Sequence, residues 1–391
     1  MNVAIFSDNF YPELSGITDS LVFFLQGLAA NGHQVFFVAP RYRARDYQKG
    51  APRELALGPA IHTARLWSIR YPYSPTRQSR ITLPCGRGVL LLKKFSPDVI
   101  HTNSPFGAGI EALLAAKFLR VPLVGTNHTS ISEFMAYGSI HFHWLSQTIL
   151  RYFSWYYNRC AFLTAPCRSL LEEMERYGLR APHQPVPNPI DTARFVPVDT
   201  AARKAAWQHR FHVSGQVILY TGRLAPEKHV DVIIRAFAQL RKELPDITLL
   251  LAGRGSAENA LRSLTQTLGV AGNVRFLGFV DNATLPLLYQ ASDLFVIMST
   301  AESQSLSLMQ AMASALPVIG ARARALPEYI DKTSGLLVKP GDADALTKTM
   351  QTILSDNVLA RKLGAGGRKA VARYALPAIV KIFEKIYTEA A

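Results

Sequence analysis

The 391-residue chain is poor in cysteine, with only Cys85, Cys160 and Cys167. Three thiols cannot build a disulfide framework, and no CxxC pair marks a structural zinc site. No window reaches about 18 uninterrupted apolar residues, so nothing reads as a simple membrane-spanning helix. The opening MNVAIFSDNF has no basic leader ahead of its apolar stretch, so no signal peptide is expected. From Asp8-Asn9-Phe10 to Ser15-Gly16 the chain offers a single glycine. A nicotinamide-dependent dehydrogenase needs a GxGxxG there, so that class is excluded. The motifs that read RNA or DNA are also missing, and nucleic acid is not an expected partner. What remains is a reduced protein expected in the cytoplasm. With 49% apolar and 18% charged residues the composition is globular rather than disordered. At roughly 150 residues per domain the length implies two or three domains.

Acidic residues are also scarce. Asp+Glu number 28 against Lys+Arg 43, a net charge of +15. The excess is concentrated: the stretch 41–94 holds twelve basic residues and two acidic ones, Asp46 and Glu54, or +10. A patch of this kind attracts polyanions, anionic lipid headgroups or phosphorylated substrates. It would equally serve as a solvated surface that keeps the protein dispersed.

The apolar residues are arranged in a βα rhythm. Val3-Ala4-Ile5-Phe6 reads as a buried parallel strand, and Leu21, Phe24, Leu25 and Leu28 recur at helical spacing. Val35-Phe36-Phe37-Val38 is the next strand, and 98–101, 122–125 and 162–165 continue the series. A segment with Pro182, Pro185, Pro187, Pro189 and Pro197 cannot be helix interior or central strand and reads as a connection. The rhythm then restarts, with strands at 217–220, 247–252, 274–277, 294–297, 317–320 and 335–338. The fold class is therefore α/β, with two doubly wound domains. Ligands of such sheets bind beyond the carboxyl ends of the strands, and a cleft between two domains is the expected site.

Chemistry-bearing residues follow several strands. Gly222, Arg223 and Lys228 place a flexible turn and two cations after 217–220, a combination suited to a pyrophosphate. Gly253-Arg254-Gly255 is a glycine turn without the third glycine of a dinucleotide fingerprint, and reads as mainly structural. Glu302 to Leu306 (Glu-Ser-Gln-Ser-Leu) lies between a strand and a helix, where backbone N–H groups can face an anion. Glu302 itself suits sugar hydroxyls or a helix cap. His128, in Gly125-Thr126-Asn127-His128-Thr129-Ser130, could move a proton or simply bond neighbouring hydroxyls. Gly16 could bring a backbone N–H close to a ligand. Trp144, Ile149, Tyr152, Trp155 and Tyr156 could share a helix face, either as core or, with Arg151 and Arg159, at a membrane interface.

Taken together, these segments resemble the retaining glycosyltransferases of the GT4 group, with the GT-B architecture of two Rossmann-like domains facing a central cleft. The resemblance covers nearly the whole chain. It is carried by FSDNFYPELSGI, HTNSPFGAG, TNHTS and PNPIDTARFVP in the first half. The second half contributes TGRLAPEKHVDVIIRAF, LLAGRGS, VRFLGFV, ASDLFVIMSTAESQSLSLMQAMASALPVI and GLLVKPGD, in the order of the family. The resemblance implies an acceptor-binding domain over 1–190, a nucleotide-sugar-binding domain over 198–375, and a final helix at about 376–391 that packs back on the first. Arg223 and Lys228 match the diphosphate-binding pair. Glu302 matches the first glutamate of an E-x7-E motif that contacts the donor sugar. Ser303, Gln304, Ser305 and Leu306 would bond sugar and phosphate, Gly16 matches the glycine loop near the donor phosphate, and His128 matches a histidine near the reacting centre. The second motif glutamate is Gln310 here, an amide that accepts a hydroxyl without charge.

The implied activity is transfer of a hexose from a nucleotide-diphosphate sugar, UDP-sugar favoured, with no cofactor and no metal required. Within the family the first half is most similar to bacterial enzymes that glycosylate diacylglycerol or related membrane lipids. The implied acceptor is then a membrane lipid, and the basic stretch and aromatic helix would hold the enzyme on the inner face of the cell membrane. The alternatives are a soluble or lipid-linked glycan acceptor and, given Gln310, a non-catalytic nucleotide-sugar-binding protein.

Overall fold

The computed structural model describes residues 1–13, 16–47, 54–71, 79–129, 143–198 and 200–391. It divides into two units, Met1–Pro189 with Leu376–Ala391, and Ile190–Ala375.

The first unit contains β1 (Asn2–Phe6), β2 (Gln34–Pro40), β3 (Ile61–Leu66), β4 (Ser68–Arg70), β5 (Arg80–Thr82), β6 (Val99–Thr102), β7 (Leu123–Thr126), β8 (Phe162–Ala165) and β9 (His183–Pro185). Seven of these form one parallel sheet in the order β3-β2-β1-β6-β7-β8-β9, while β4 and β5 pair as a separate ribbon. Parallel pairing of β1 with β2 requires a crossover, supplied by the helix Gly16–Ala30. That helix buries Leu21, Phe24, Leu25 and Leu28. Val3, Ala4, Ile5 and Phe6 are all fully buried, which is why β1 reads as a continuous apolar run rather than an alternating one.

The helix Leu376–Ala390 belongs to this unit. Its Ile379, Val380, Phe383, Ile386 and Tyr387 join the same core as β1 and β2. At about 2 kcal/mol per buried side chain these five contribute about 10 kcal/mol of gross burial. The Tyr387 hydroxyl bonds His101 Nδ1 at 2.6 Å, and His101 Nε2 bonds Thr126 Oγ1 at 2.7 Å. Burial lowers the His101 pKa to about 3, so the ring is neutral at physiological pH.

The second unit contains β10 (Gln216–Thr221), β11 (Ile247–Ala252), β12 (Val274–Gly278), β13 (Leu294–Ile297), β14 (Val318–Ala321) and β15 (Gly335–Val338), ordered β12-β11-β10-β13-β14-β15. The chain winds one way from β10 to β12, returns beside β10 and winds the other way. This is the dinucleotide-fold order, and its switch point lies between β10 and β13. The corresponding reversal in the first unit lies between β1 and β6. The helix Val230–Leu240 buries Val230, Ile233, Ile234, Phe237 and Leu240, the stripe that its spacing predicts.

Two features differ from expectation. The proline-rich connection contains β9, placed at the sheet edge, where proline is tolerated. In the helix His143–Tyr157, Trp155 and Tyr156 do not share a face. Leu150, Phe153, Tyr156 and Tyr157 are buried in the core, whereas Trp155 is 45% exposed, stacked on Tyr152 and covered by Arg159 at 3.7 Å. The side chain of Trp144 lies outside the described residues, as do Leu14, Ser15, Lys49, Arg53, Arg77 and Ser130. Among the described residues no helix is long and apolar enough to cross a membrane.

Candidate active site

In the second unit the loops after β10 and β13 meet at the switch point. Gly222 follows β10 with φ +150°, a conformation that a side chain disfavours. The neighbouring Gly253 and Gly255 are spent on packing. A Cβ on Gly253 would lie 1.8 Å from the Gly222 carbonyl oxygen, and one on Gly255 would lie 2.0 Å from that of Leu224. Leu224 N–H donates to the Arg254 carbonyl at 3.0 Å, and Ala257 N–H to the Leu224 carbonyl at 2.9 Å. The glycine turn after β11 thus braces the loop after β10.

That loop ends in a short 3-10 turn, Pro226–Lys228, before the helix Val230–Leu240. Lys228 Nζ lies 2.7 Å from Glu302 Oε1, 3.4 Å from Ser299 Oγ and 3.5 Å from the Ala301 carbonyl. An ammonium has three donors, and here three oxygens from the β13 loop face them. The Lys228 and Glu302 side chains are each 12% exposed. Thr300 N–H donates to the Glu227 carbonyl, and His229 Nε2 lies 3.1 Å from Thr300 Oγ1, so the loops are tied on both sides of the ion pair. Arg223 Nη2 sits 3.5 Å from Glu227 Oε1 and is the more exposed of the two cations.

Glu302 is not the helix cap. Ser305 caps the helix Leu306–Ala313, its hydroxyl accepting the Leu308 N–H at 3.2 Å. Ser303 and Gln304 lie between Glu302 and that cap, and Leu306 is the first helical residue. Gln310 Oε1 accepts the Tyr289 hydroxyl at 3.0 Å, and that hydroxyl also lies 2.6 Å from Thr221 Oγ1. Tyr289 is buried, and desolvation pushes its pKa well above the ordinary phenol value.

The other expected residues, His128 and Gly16, lie in the first unit. His128 follows β7, and its Nε2 is 3.1 Å from Asn103 Oδ1. Asn103 Nδ2 points toward the Phe6 carbonyl at 3.5 Å, which assigns the amide oxygen to His128. His128 Nε2 is then the donor and Nδ1 carries the lone pair. Loss of hydration lowers the His128 pKa to about 4, so this ring too is neutral near pH 7. Gly16 is exposed at the first position of the helix Gly16–Ala30.

Two family models match the chain: Glycosyltransferase Family 4 over residues 14–194, and Glycosyl transferases group 1 over residues 202–370. The chain belongs to the glycosyltransferases. It is 26% identical to the alpha-monoglucosyldiacylglycerol synthase of Acholeplasma laidlawii, over 82% of this chain and 80% of that one. It is 27% identical to the GDP-mannose-dependent alpha-mannosyltransferase of Corynebacterium glutamicum, over 91% and 81%. Anabaena HepE, solved in complex with UDP, shares the fold with a TM-score of 0.80 at 20% identity, covering 100% of both chains. The fold is GT-B, with two Rossmann-like units.

In this glycosyltransferase the sequence motifs name the charged residues but not their partners. Asp8, at the end of β1, accepts Ser104 Oγ at 2.6 Å and Ala108 N–H at 2.9 Å. It thereby ties the ends of β1 and β6 together beside Asn103, the residue that orients His128. Burial raises the Asp8 pKa against these hydrogen bonds. Its place after the first strand is visible in sequence, but its partners lie about a hundred positions away. Among the described residues no three His, Cys, Asp or Glu side chains cluster as a metal site.

Proposed function

We propose that this glycosyltransferase moves a hexose from a nucleotide-diphosphate sugar, with a UDP-sugar favoured, to a hydroxyl of a membrane lipid such as diacylglycerol. The anomeric configuration is retained and no metal is required. The observation that carries the reading is the Lys228–Glu302 pair, braced at the switch point of the second sheet, where such folds take nucleotides. A diphosphate entering there exchanges for Glu302 as the partner of Lys228, which frees the carboxylate to accept sugar hydroxyls. Arg223 is the second cation, and backbone N–H groups of 303–306 face the same anion. Relatives named as alpha-monoglucosyldiacylglycerol synthases support the lipid acceptor, and UDP in a protein of this fold supports the donor.

The step is a front-face displacement. The bond from the anomeric carbon to the diphosphate oxygen breaks, and the acceptor oxygen bonds that carbon on the same face. The acceptor proton passes to the departing diphosphate. Arg223 and Lys228 stabilise the charge that develops on it, the work of a preorganised anion site. We assign His128, neutral near pH 7, hydrogen bonding rather than a fixed charge.

Incubation with a panel of nucleotide sugars and membrane lipid extract, read by mass spectrometry, tests the proposal. A lipid heavier by one hexose, formed equally in the presence of EDTA, is the expected result. A product confined to soluble or lipid-linked glycan favours the second reading, to which the mannosyltransferase relative points. Donor binding without transfer or donor hydrolysis indicates a non-catalytic protein, the reading raised by Gln310.

A further inference from the structure

The ribbon of β4 and β5 presents two different faces. The strands pair antiparallel, with Ser68 opposite Thr82, Ile69 opposite Ile81 and Arg70 opposite Arg80. Leu83 N–H donates to the Trp67 carbonyl at 2.9 Å, which extends the pairing by one position. Strand alternation therefore puts Trp67, Ile69, Ile81 and Leu83 on one face. On the opposite face the β5 side turns inward, with Arg80 6% and Thr82 0% exposed, while on β4 Ser68 is half-buried and Arg70 exposed. The apolar face is turned outward: Trp67 is 62% exposed, Ile69 49%, Ile81 41% and Leu83 44%. A contiguous apolar surface of this kind marks an interaction site.

A cavity of about 630 Å³ opens beside Trp67, lined also by Arg41, Arg43, Arg65 and Arg80. It lies past the ends of β2 and β3, on the carboxyl edge of the parallel sheet. Two of its guanidinium groups are held by the wall. Arg65 makes a bidentate pair with Glu54 at 3.0 and 2.6 Å, and Arg80 bonds Asp46 at 2.8 Å and the Ser68 carbonyl at 2.8 Å. Arg41 and Arg43 are exposed and make no ion pair among the described residues. The described positions of 41–94 carry nine basic and two acidic residues.

We propose that the apolar ribbon face and the adjoining cavity dock the first unit on an anionic phospholipid bilayer, the ribbon entering the interfacial layer and Arg41 and Arg43 taking a headgroup phosphate. Charge decides the occupant. An apolar face alone would suit many partners, but one set in a strongly cationic surround, with an indole at its end, matches the boundary between headgroups and acyl chains. Arginine's planar fork fits phosphate oxygens in pairs. The site deepens the lipid-acceptor reading and rests on it, but it is tested without donor or turnover.

The experiment is flotation of the full chain with phosphatidylcholine vesicles, with and without phosphatidylglycerol. Binding that requires phosphatidylglycerol is expected. Arg41→Gln and Arg43→Gln should each weaken it about fivefold, the equivalent of about 1 kcal/mol per cation at an anionic surface. Ile81→Ser should weaken it further. Arg361→Gln with Lys369→Gln removes two exposed cations from the second unit and should leave it unchanged. A fluorophore on exposed Cys85, just past the ribbon, reports docking in the otherwise native chain, because Cys160 and Cys167 are buried. It should shift to the blue only with anionic vesicles, and this readout stands if a variant fails to fold. Equal loss in the second-unit variant would overturn the site in favour of overall charge. Competition by soluble glycerol phosphate would overturn it in favour of a soluble phosphate ester, and a dimer abolished by Ile81→Ser would do so in favour of a second copy. Absence of vesicle binding with transfer to lipid intact would sink this site alone, whereas vesicle binding without any transfer would sink the enzymatic reading alone.

Discussion

Replacing Lys228 by methionine removes the ammonium that faces Glu302, Ser299 and the Ala301 carbonyl at 2.7, 3.4 and 3.5 Å. Two costs follow, and they separate. The first is structural: Glu302, 12% exposed, loses its countercharge. Breaking a buried pair costs roughly 3 to 5 kcal/mol, and the remaining hydration of this pair brings that to about 2 kcal/mol. The second is catalytic: a preorganised contact to developing charge is worth about 3 to 4 kcal/mol, a loss of about a hundredfold to a thousandfold in turnover. The double variant Lys228→Met/Glu302→Gln removes the orphaned charge. Its stability should return to within about 1 kcal/mol of the native chain, because the two residues are in contact and their effects couple. Its turnover should stay at or below that of Lys228→Met. Urea unfolding and initial rates on the same samples give both quantities. If the double variant regains turnover, or Lys228→Met keeps near-native turnover, Lys228 supports only the fold.

Acid should destabilise the first unit specifically. His101 and His128 have folded pKa values of about 3 and about 4, below the unfolded value of about 6.5. The unfolded chain therefore binds more protons between these limits, so stability is complete well above pH 6.5 and falls as the pH drops, by about 4 kcal/mol for the pair by pH 5. Urea titrations at pH 5 and 7 check this, and His101→Asn should flatten the slope. Gly255→Ala forces a Cβ to within 2.0 Å of the Leu224 carbonyl oxygen and should cost about 2 to 3 kcal/mol, read as a lower melting temperature. Gln310→Glu places a carboxylate beside the Tyr289 hydroxyl, where the family has one. If that position bonds ribose, the donor KM should fall by about fivefold with kcat little changed, since a hydrogen bond to a charged group gains about 1 kcal/mol.

Most strands of both sheets are legible because the inner strands of parallel sheets are buried on both faces, so their sequences are unbroken apolar runs such as 3–6, 217–220 and 294–297. β3 is not legible. It is an edge strand within the basic stretch, with only Ile61 and Leu66 buried, and it offers neither an apolar run nor alternation. The aromatic helix misleads for a different reason. Consecutive residues of a helix lie about 100° apart, so Tyr156 goes into the core while Trp155 stays out.

Sequence alone determined the α/β class, the restart of the rhythm after the prolines, the cationic stretch and the charged residues of the second half, because each is a local pattern of side-chain type. Tertiary structure decided who meets whom. Lys228 finds Glu302 across 74 positions because adjacent strands end at one switch point. Ser305 rather than Glu302 caps its helix, and Asp8 holds Ser104 across 96 positions. The apolar ribbon face exists only once the register of β4 against β5 is set. Such contacts depend on strand order and register, which no short window of residues encodes.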